Sequence, residues 1–316
     1  MPWYKANFHC HSTNSDGHSS PLEVAEYYKA IGMDVVTVSD HNSLTALAEY
    51  AEALTGACIG IPCSEYTGAK CAHVLAVDVE TAVGPARDQS DLGVVDILQD
   101  GVNRTLAAGG VPVLCHPGWY WTYDQVEILA VTRASHFEVF NSSPDCNSYP
   151  LVGRSAMEGI WDHVLSAGRR LFGTANDDAH WHTSPQSVGA GPNRFALGGT
   201  GWNVIKAPEL TRAAIRSAFA AGHFYASTGV ELSRYRVSAD RIALSVRQAS
   251  QEHMITEFYG EGGRLLDRQE GPEASYAIAG DEGYVRARVI DTNRWMAFTQ
   301  PVFLETIEQD IAWTRE

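Results

Sequence analysis

Histidines and carboxylates recur at regular places in this sequence. His9 and His11 flank Cys10 directly after an extended opening run, residues 4–8. Strand side chains repeat every second residue, so both imidazoles face one side and could clamp one ion. Asp16 follows in a Ser-Asp-Gly turn, Asp40-His41 closes the apolar run 35–39, and Glu65 closes the run 57–63. His73 opens the run 73–77, His116 ends the run 111–115 within Cys-His-Pro-Gly, and Asp178-Ala179-His180 ends the run 171–175. A lone strand-end imidazole is ordinarily a satisfied structural residue. The joint pattern is different, because unpaired carboxylates gathered on one rim would repel one another and lose solvation unless cations neutralised them. Mixed nitrogen and oxygen donors suit zinc, manganese or iron better than calcium, and the lack of thiolate pairs disfavours a closed structural site. About nine ligands exceed what one ion needs and point to two or three divalent metal ions.

These groups need a scaffold that brings strand ends together. From the start to about Gly229, short apolar runs alternate with helical patterns. Ser20-Pro21-Leu22-Glu23 sets a cap and a proline at a first helical position, and Gly32 stops that helix. Ser43 can cap a stretch through residue 54; residues 156–165 end at Gly168, and the stretch after Pro208 runs to Gly222. Alternating strands and helices with continuous apolar strands predict an α/β fold with a parallel sheet covered on both faces. Six or seven such units favour a barrel, whose active groups gather at the carboxyl ends of the strands. After Gly229, polar and apolar residues alternate over 234–238, 241–247 and 284–290, with turns at Gly262-Gly263, Gly271-Pro272 and Asp291-Thr292-Asn293. This is the pattern of short antiparallel strands with one wet face. Two domains are therefore expected, 1–229 as the site-bearing domain and 230–316 as a β-sandwich-like module.

Composition narrows the partners. The chain has 316 residues, 45% of them hydrophobic and 19% charged, with 23 Lys and Arg against 38 Asp and Glu for a net charge of −15. Such a chain can bury a large core and is not disordered. Its acidic balance argues against wrapping a nucleic-acid backbone, which calls for a clustered basic face. A small anionic substrate stays open, because bound cations can reverse the local field. No window approaches the roughly 18 apolar residues of a membrane helix. The first eight residues lack the pattern of a secretory leader, and the six scattered cysteines suit a reduced, cytoplasmic protein.

His9-Cys10-His11, Asp16, Asp40-His41, Glu65, His73, His116-Pro117 and Asp178-Ala179-His180 resemble the motifs of the PHP (polymerase and histidinol phosphatase) family, over roughly residues 7 to 182. The segments 201–210 and 221–229 look like the branch of carbaryl-hydrolase-like PHP proteins, which usually end in a β-rich module. The resemblance implies a distorted seven-stranded (β/α) barrel with a trinuclear centre. It implies that His9, His11, Glu65 and Asp178 hold a first ion, and that Glu65 bridges to a second held by His73 and His116. Asp16, His41 and His180 would hold the third. Asp177 is the rival of Asp178, and Asp40 belongs in an outer layer that orients His41 or a strand end.

A cluster of divalent ions can lower the pKa of a bridging water and bind phosphoryl oxygens. The expectation is hydrolysis of a small phosphomonoester by attack of a metal-bridging hydroxide, with Glu65, Asp178, His180 and His182 as the catalytic set. His182 could donate to a phosphate oxygen, and Arg154, Arg194 and Lys70 are cations that could clamp an anion. Some nucleotide-cleaving family members carry an arginine soon after the His-Pro pair. Here His116-Pro117-Gly118-Trp119-Tyr120-Trp121 is aromatic instead, which suggests a flatter, more apolar substrate wall. The same ligand set would also serve a carbamate, ester or amide hydrolase, or a non-catalytic metal-binding module.

Overall fold

The computed structural model describes residues 1–54, 57–151, 153–182, 198–247 and 253–306. β1 (Trp3–Ala6) leads by a loop into α1 (Pro21–Ala30). The start of α1 is written in its first residues: Ser20 Oγ accepts from the Glu23 N–H, and the Glu23 carboxylate accepts from the Ser20 N–H at 2.8 Å. Gly32, at φ +87°, stops it. β2 (Val35–Val36) and β3 (Ile59–Gly60) follow, in parallel pairing with β1 and with each other in the order β1-β2-β3. The helix expected over residues 43–54 is reduced to one 3-10 turn, Leu47–Glu49. Side chains claim this stretch instead. Asn14 Nδ2 donates to Thr45 Oγ1 at 3.0 Å and to Glu49 Oε2 at 2.8 Å, and the Thr45 hydroxyl donates to buried Asp40.

A second ladder comprises β4 (Cys63–Thr67), β5 (His73–Val77), β6 (Val111–Leu114), β7 (His136–Asn141) and β8 (Phe172–Asn176). Packed beside it are α2 (Val94–Ala107), α3 (Gln125–Ala130) and α4 (Met157–Ser166). β9 (Trp202–Lys206), α5 (Arg212–Ala220) and β10 (Phe224–Ser227) return the chain to β1, against which β9 pairs.

The result is a mixed α/β fold with several sheets, and it departs from the all-parallel expectation. β4 with β5, β5 with β6, and β1 with β9 are antiparallel; β6, β7 and β8 run parallel. Among the described residues, hydrogen-bonded strands do not close a ring. The ladder of β1, β2 and β3 meets the ladder of β4 to β8 through single parallel bridges, His41 with Glu65 and Cys10 with Ala179. Hydroxyls take over where strand pairing would continue: Thr37 Oγ1 donates to Asn7 O at 2.9 Å and Ser39 Oγ to Cys10 O at 3.0 Å.

Toward the C-terminus, β11 (Leu232–Ser238), β12 (Arg241–Val246) and β15 (Glu273–Ala277) form a three-stranded antiparallel sheet. β13 (Met254–Gly260), β14 (Arg264–Glu270), β16 (Tyr284–Asp291) and β17 (Met296–Thr299) extend the sheet of β1, because β17 pairs with β10. Phe258, Val285 and Val289 share one apolar cluster with Val24, Val36 and Tyr225. The fully buried Arg286 on β16 reaches α4, with Nη2 2.6 Å from Asp162 Oδ2 and Nη1 2.6 Å from Glu158 Oε1. All six cysteines are free thiols, and five of them are buried. Among the described residues no helix is long and apolar enough to cross a membrane.

Candidate metal centre

The two ladders meet at a group of histidines and carboxylates. His9 and His11 lie just beyond β1, where the chain runs beside residues 178–179: the Asp178 N–H donates to His9 O at 2.9 Å and the His11 N–H to Ala179 O at 2.9 Å. That pairing sets His11 Nε2 3.1 Å from Asp178 Oδ1. Asp178 adopts φ +53°, a left-handed turn that separates its direction from that of Asp177.

Glu65, on β4, is the hub. Its fully buried carboxylate lies 3.3 Å from His9 Nε2, 3.4 Å from His11 Nε2, 2.7 Å from His41 Nδ1, 2.9 Å from His73 Nδ1 and 3.3 Å from His116 Nε2. His73 reaches it from the start of β5 because the β4–β5 hairpin is antiparallel, so the start of one strand lies beside the end of the other. At the solvent side, Asp16 Oδ1 stands 3.5 Å from His41 Nε2 and 3.4 Å from His180 Nε2. Donor atoms gather within 4.8 Å of one another in four overlapping groups: His9, His11 and Asp178; His9, Glu65, Cys115 and His116; His41, Glu65 and His73; His11, Asp16, His41 and His180.

The residues fit divalent cations. His9 Nδ1 is bonded to Glu138 Oε1 at 2.8 Å, while its buried Nε2 has no hydrogen-bond partner among the described residues and faces Glu65 and Asp178. With Nδ1–H donating outward, Nε2 presents the lone pair that a metal requires. His180 Nδ1 similarly donates to Asp178 O at 2.9 Å, leaving Nε2 for the Asp16 side. Burial by itself would push the pKa of Glu65 up, but the charge of His9, His41 and His73 outweighs it and holds the carboxyl well below the usual carboxylate range. Asp178 is lowered in the same way, burial being overcome by His9, His11 and His116. Burial opposes charge on the His41 ring, yet Glu65 and Asp16 push it up to about 10. These ionised carboxylates call for positive charge beside them, which divalent ions would supply in place of the imidazole protons.

Outside this centre the expected residues part company. Asp177 turns away and accepts the backbone N–H groups of Gly199, Thr200 and Gly201 at 2.7, 2.7 and 2.6 Å; burial pushes its carboxyl up to about 6. Asp40 does not reach the His41 ring. It accepts from Ser12 N–H at 2.8 Å, Ser12 Oγ at 2.7 Å and Ser15 Oγ at 2.6 Å, and so braces the loop that carries Asp16. His182 does not line the cavity over the centre; it is buried against the rings of Tyr27 and Tyr28 at 5.7 and 5.4 Å. Arg154 lies over the Trp121 ring at 5.0 Å, outside that cavity, and Lys70 is bonded to Leu92 O. Arg194 falls outside the described residues.

The sequence reading missed Glu138. This fully buried acid on β7 accepts from His9 Nδ1, from the His116 N–H at 2.9 Å and from Asn176 Nδ2 at 3.0 Å. Its one signal was a carboxylate in the apolar run Phe-Glu-Val-Phe, where an unpaired charge would be costly. The cavity over the centre has a volume of about 540 Å³. Trp119 borders it with its ring edge-on to His73 and His116, both at 5.2 Å, and its Nε1 donates to Asp145 Oδ2 at 3.0 Å. His18 also lines it, stacked on Trp181 at 3.4 Å.

No protein-family model matches the chain, and no curated protein matches it by sequence. Solved structures do. A two-domain protein from Bacteroides vulgatus, described as containing a predicted PHP-like metal-dependent phosphoesterase, is 14% identical with a TM-score of 0.53, over 92% of this chain and 91% of that one. A candidate metal-dependent phosphoesterase from Bifidobacterium adolescentis is 17% identical with a TM-score of 0.42, over 59% of this chain and 91% of that one. An amidohydrolase from Chromobacterium violaceum, solved with sulfate and no metal, is 15% identical with a TM-score of 0.39, over 55% of this chain and 87% of that one. The first of these likenesses extends over nearly the whole of both chains and is a likeness of fold.

Proposed function

We propose that this chain is a metal-dependent phosphoesterase of the PHP type that hydrolyses a small phosphomonoester. The observation that carries the reading is the buried Glu65 carboxylate ringed by five imidazoles, with Asp178 beside it, at the base of an open cavity. In this reading His9, His11, Glu65 and Asp178 hold one divalent ion, Glu65, His73 and His116 a second, and Asp16, His41 and His180 a third. The donor groups support the first and third of these sets, whereas around Glu65 His73 gathers with His41, and His116 with His9 and Cys115. Zinc, manganese and iron suit the mixed donors. The same reading takes the two strand ladders as a distorted barrel, residues 1–229 as the hydrolase domain and 230–316 as an accessory β module. The fold likeness to the Bacteroides vulgatus protein supports it.

Divalent ions would supply Lewis acidity to phosphoryl oxygens and to an attacking water at neutral pH. The protein's own part is to hold and orient. Glu138 fixes the His9 ring, Thr67 Oγ1 lies 2.6 Å from His41 Nδ1, and the backbone of Asp178 fixes His180. Trp119 flanks the cavity and braces the His73 and His116 rings edge-on. Overall, a bond forms from the water oxygen to phosphorus, the bond to the leaving oxygen breaks, and that oxygen gains a proton. The products are an alcohol and orthophosphate. In this reading His18, on the cavity wall and outside the proposed ligand set, passes that proton.

The test is metal removal. Protein dialysed against a chelator should lose turnover of p-nitrophenyl phosphate, and manganese, iron or zinc should restore it. Glu65→Gln should retain less metal by elemental analysis and recover no activity. Phosphatase activity that survives complete metal removal overturns the reading. Faster metal-dependent turnover of p-nitrophenyl acetate or an aryl carbamate would transfer it to carbonyl substrates.

A further inference from the structure

Cys115, in the Cys-His-Pro-Gly sequence that follows β6, belongs to none of the three ligand sets. It is fully buried and shares an apolar cluster with Phe8, Leu75 and Val113. It is not on the walls of the cavity over the centre, so its sulfur lies on the protein side of the ligand groups.

In an extended chain, neighbouring side chains point to opposite faces. Cys115 and His116 break that rule: their donor atoms lie within 4.8 Å of each other and of those of His9 and Glu65. The alternation fails at His116, whose φ of +30° is in the left-handed region. Such a backbone is strained for a residue with a ring on Cβ and persists only where its surroundings hold it. Here they do, since the His116 N–H donates to Glu138 Oε2 at 2.9 Å and the Trp119 N–H to His116 O at 2.9 Å. The strain turns two consecutive side chains toward one point.

The group at that point carries unpaired donors. His9 Nε2 and His116 Nδ1 are buried without a hydrogen-bond partner among the described residues. The Cys115 thiol donates along its own strand to Val113 O over 3.6 Å, a weak bond that costs little to give up. A bare thiolate here would stand near the buried carboxylates of Glu138 and Glu65, so sulfur could ionise only under a cation.

We propose that Cys115 is a metal ligand, a sulfur donor to the ion that Glu65 and His116 hold, on the side of His9 rather than of His73. The inference rests on the metal-centre reading and is independent of which bond is hydrolysed. On binding, a bond forms between sulfur and the ion, and the thiol proton leaves to water. Thiolate beside imidazole and carboxylate favours zinc over manganese and magnesium. Because the sulfur lies away from the cavity, it selects and steadies the ion without taking up the substrate side.

Chelator-treated protein should be titrated with cobalt(II) under reducing, oxygen-free conditions. The expected result is a near-ultraviolet thiolate-to-cobalt band together with the visible cobalt bands. Cys115→Ser should keep the visible bands and lose the near-ultraviolet one, and in competition with a chromogenic chelator its affinity for zinc relative to manganese should fall about tenfold. Cys146→Ser should keep both bands, although Cys146 lines the cavity with Sγ 3.9 Å from Asp178 Oδ2. X-ray absorption of the zinc-loaded, unmutated protein needs no variant and should find a sulfur neighbour at about 2.3 Å from zinc. Cobalt or zinc bound by nitrogen and oxygen alone, or a near-ultraviolet band that survives Cys115→Ser, overturns the inference and leaves the metal centre standing. Failure to take up either ion removes both.

Discussion

At the scale of single residues, the centre depends on groups that would not themselves touch an ion. Glu138 fixes the His9 ring by accepting from Nδ1–H, and it also accepts from the His116 backbone and from Asn141 Nδ2 at 2.9 Å. Glu138→Gln should therefore weaken metal binding by about 10–100-fold, the usual effect of losing such an orienting partner. Competition with a chromogenic chelator would measure it, and an unchanged far-UV spectrum would show that the fold persists. The histidines and acids themselves stood out because all but Asp16 sit where an extended or apolar run begins or ends. Glu138 was not, because it lies inside such a run and nothing in its neighbours marks a partner 129 positions away. The choice between Asp177 and Asp178 was equally hidden. It turns on a left-handed backbone at Asp178 and on three N–H groups from residues 199–201, and neither has a signature in the pair of aspartates.

Among the elements, the helix start with a chemical cap at Ser20 was legible, and so was the stretch after Pro208 that becomes α5, although its Thr211 cap was not singled out. α2 was not, although Ile97, Leu98, Val102 and Thr105 make a buried stripe at helical spacing. Gly101 interrupts that stripe and reads as a break. In the structure it is where the helix packs tightly on side chains of β4 and β5: a Cβ there would stand 2.8 Å from Tyr66 Cδ1 and 2.8 Å from Val74 Cγ2. Gly101→Ala should cost about 1–3 kcal/mol through overpacking, despite alanine's better helix propensity. Urea unfolding would measure it, and a gain in stability would refute the close-approach account. Strand direction was the other hidden quantity. The apolar runs look alike whether parallel or antiparallel, so the inversion of β5 could not be read from them, yet it is that inversion that carries His73 to Glu65.

For the molecule as a whole, the change of texture near residue 229 was plain in the sequence, but the joint that crosses it was not. β17 pairs with β10, and Arg286 drives into α4 against Asp162 and Glu158 with Tyr284 Oη 2.8 Å from Asp162 Oδ1. Arg286→Met should cost about 3–5 kcal/mol, because it leaves the buried Asp162 carboxylate without its cation, while Glu158 keeps Arg288. Adding Asp162→Leu should recover part of that loss, since the uncompensated charge is then gone. Thermal unfolding of the two variants would show whether the network behaves this way. The two single bridges described earlier have a consequence of another kind. Among the described residues, His41 with Glu65 and Cys10 with Ala179 are the β-bridges between the two ladders, and both sit among the residues proposed to grip metal. Ions there would act as rivets through a seam, binding the folded form and not the open one. Deprived of its cation, the protein would be slack as well as idle, and its exposure to proteases would follow the supply of metal.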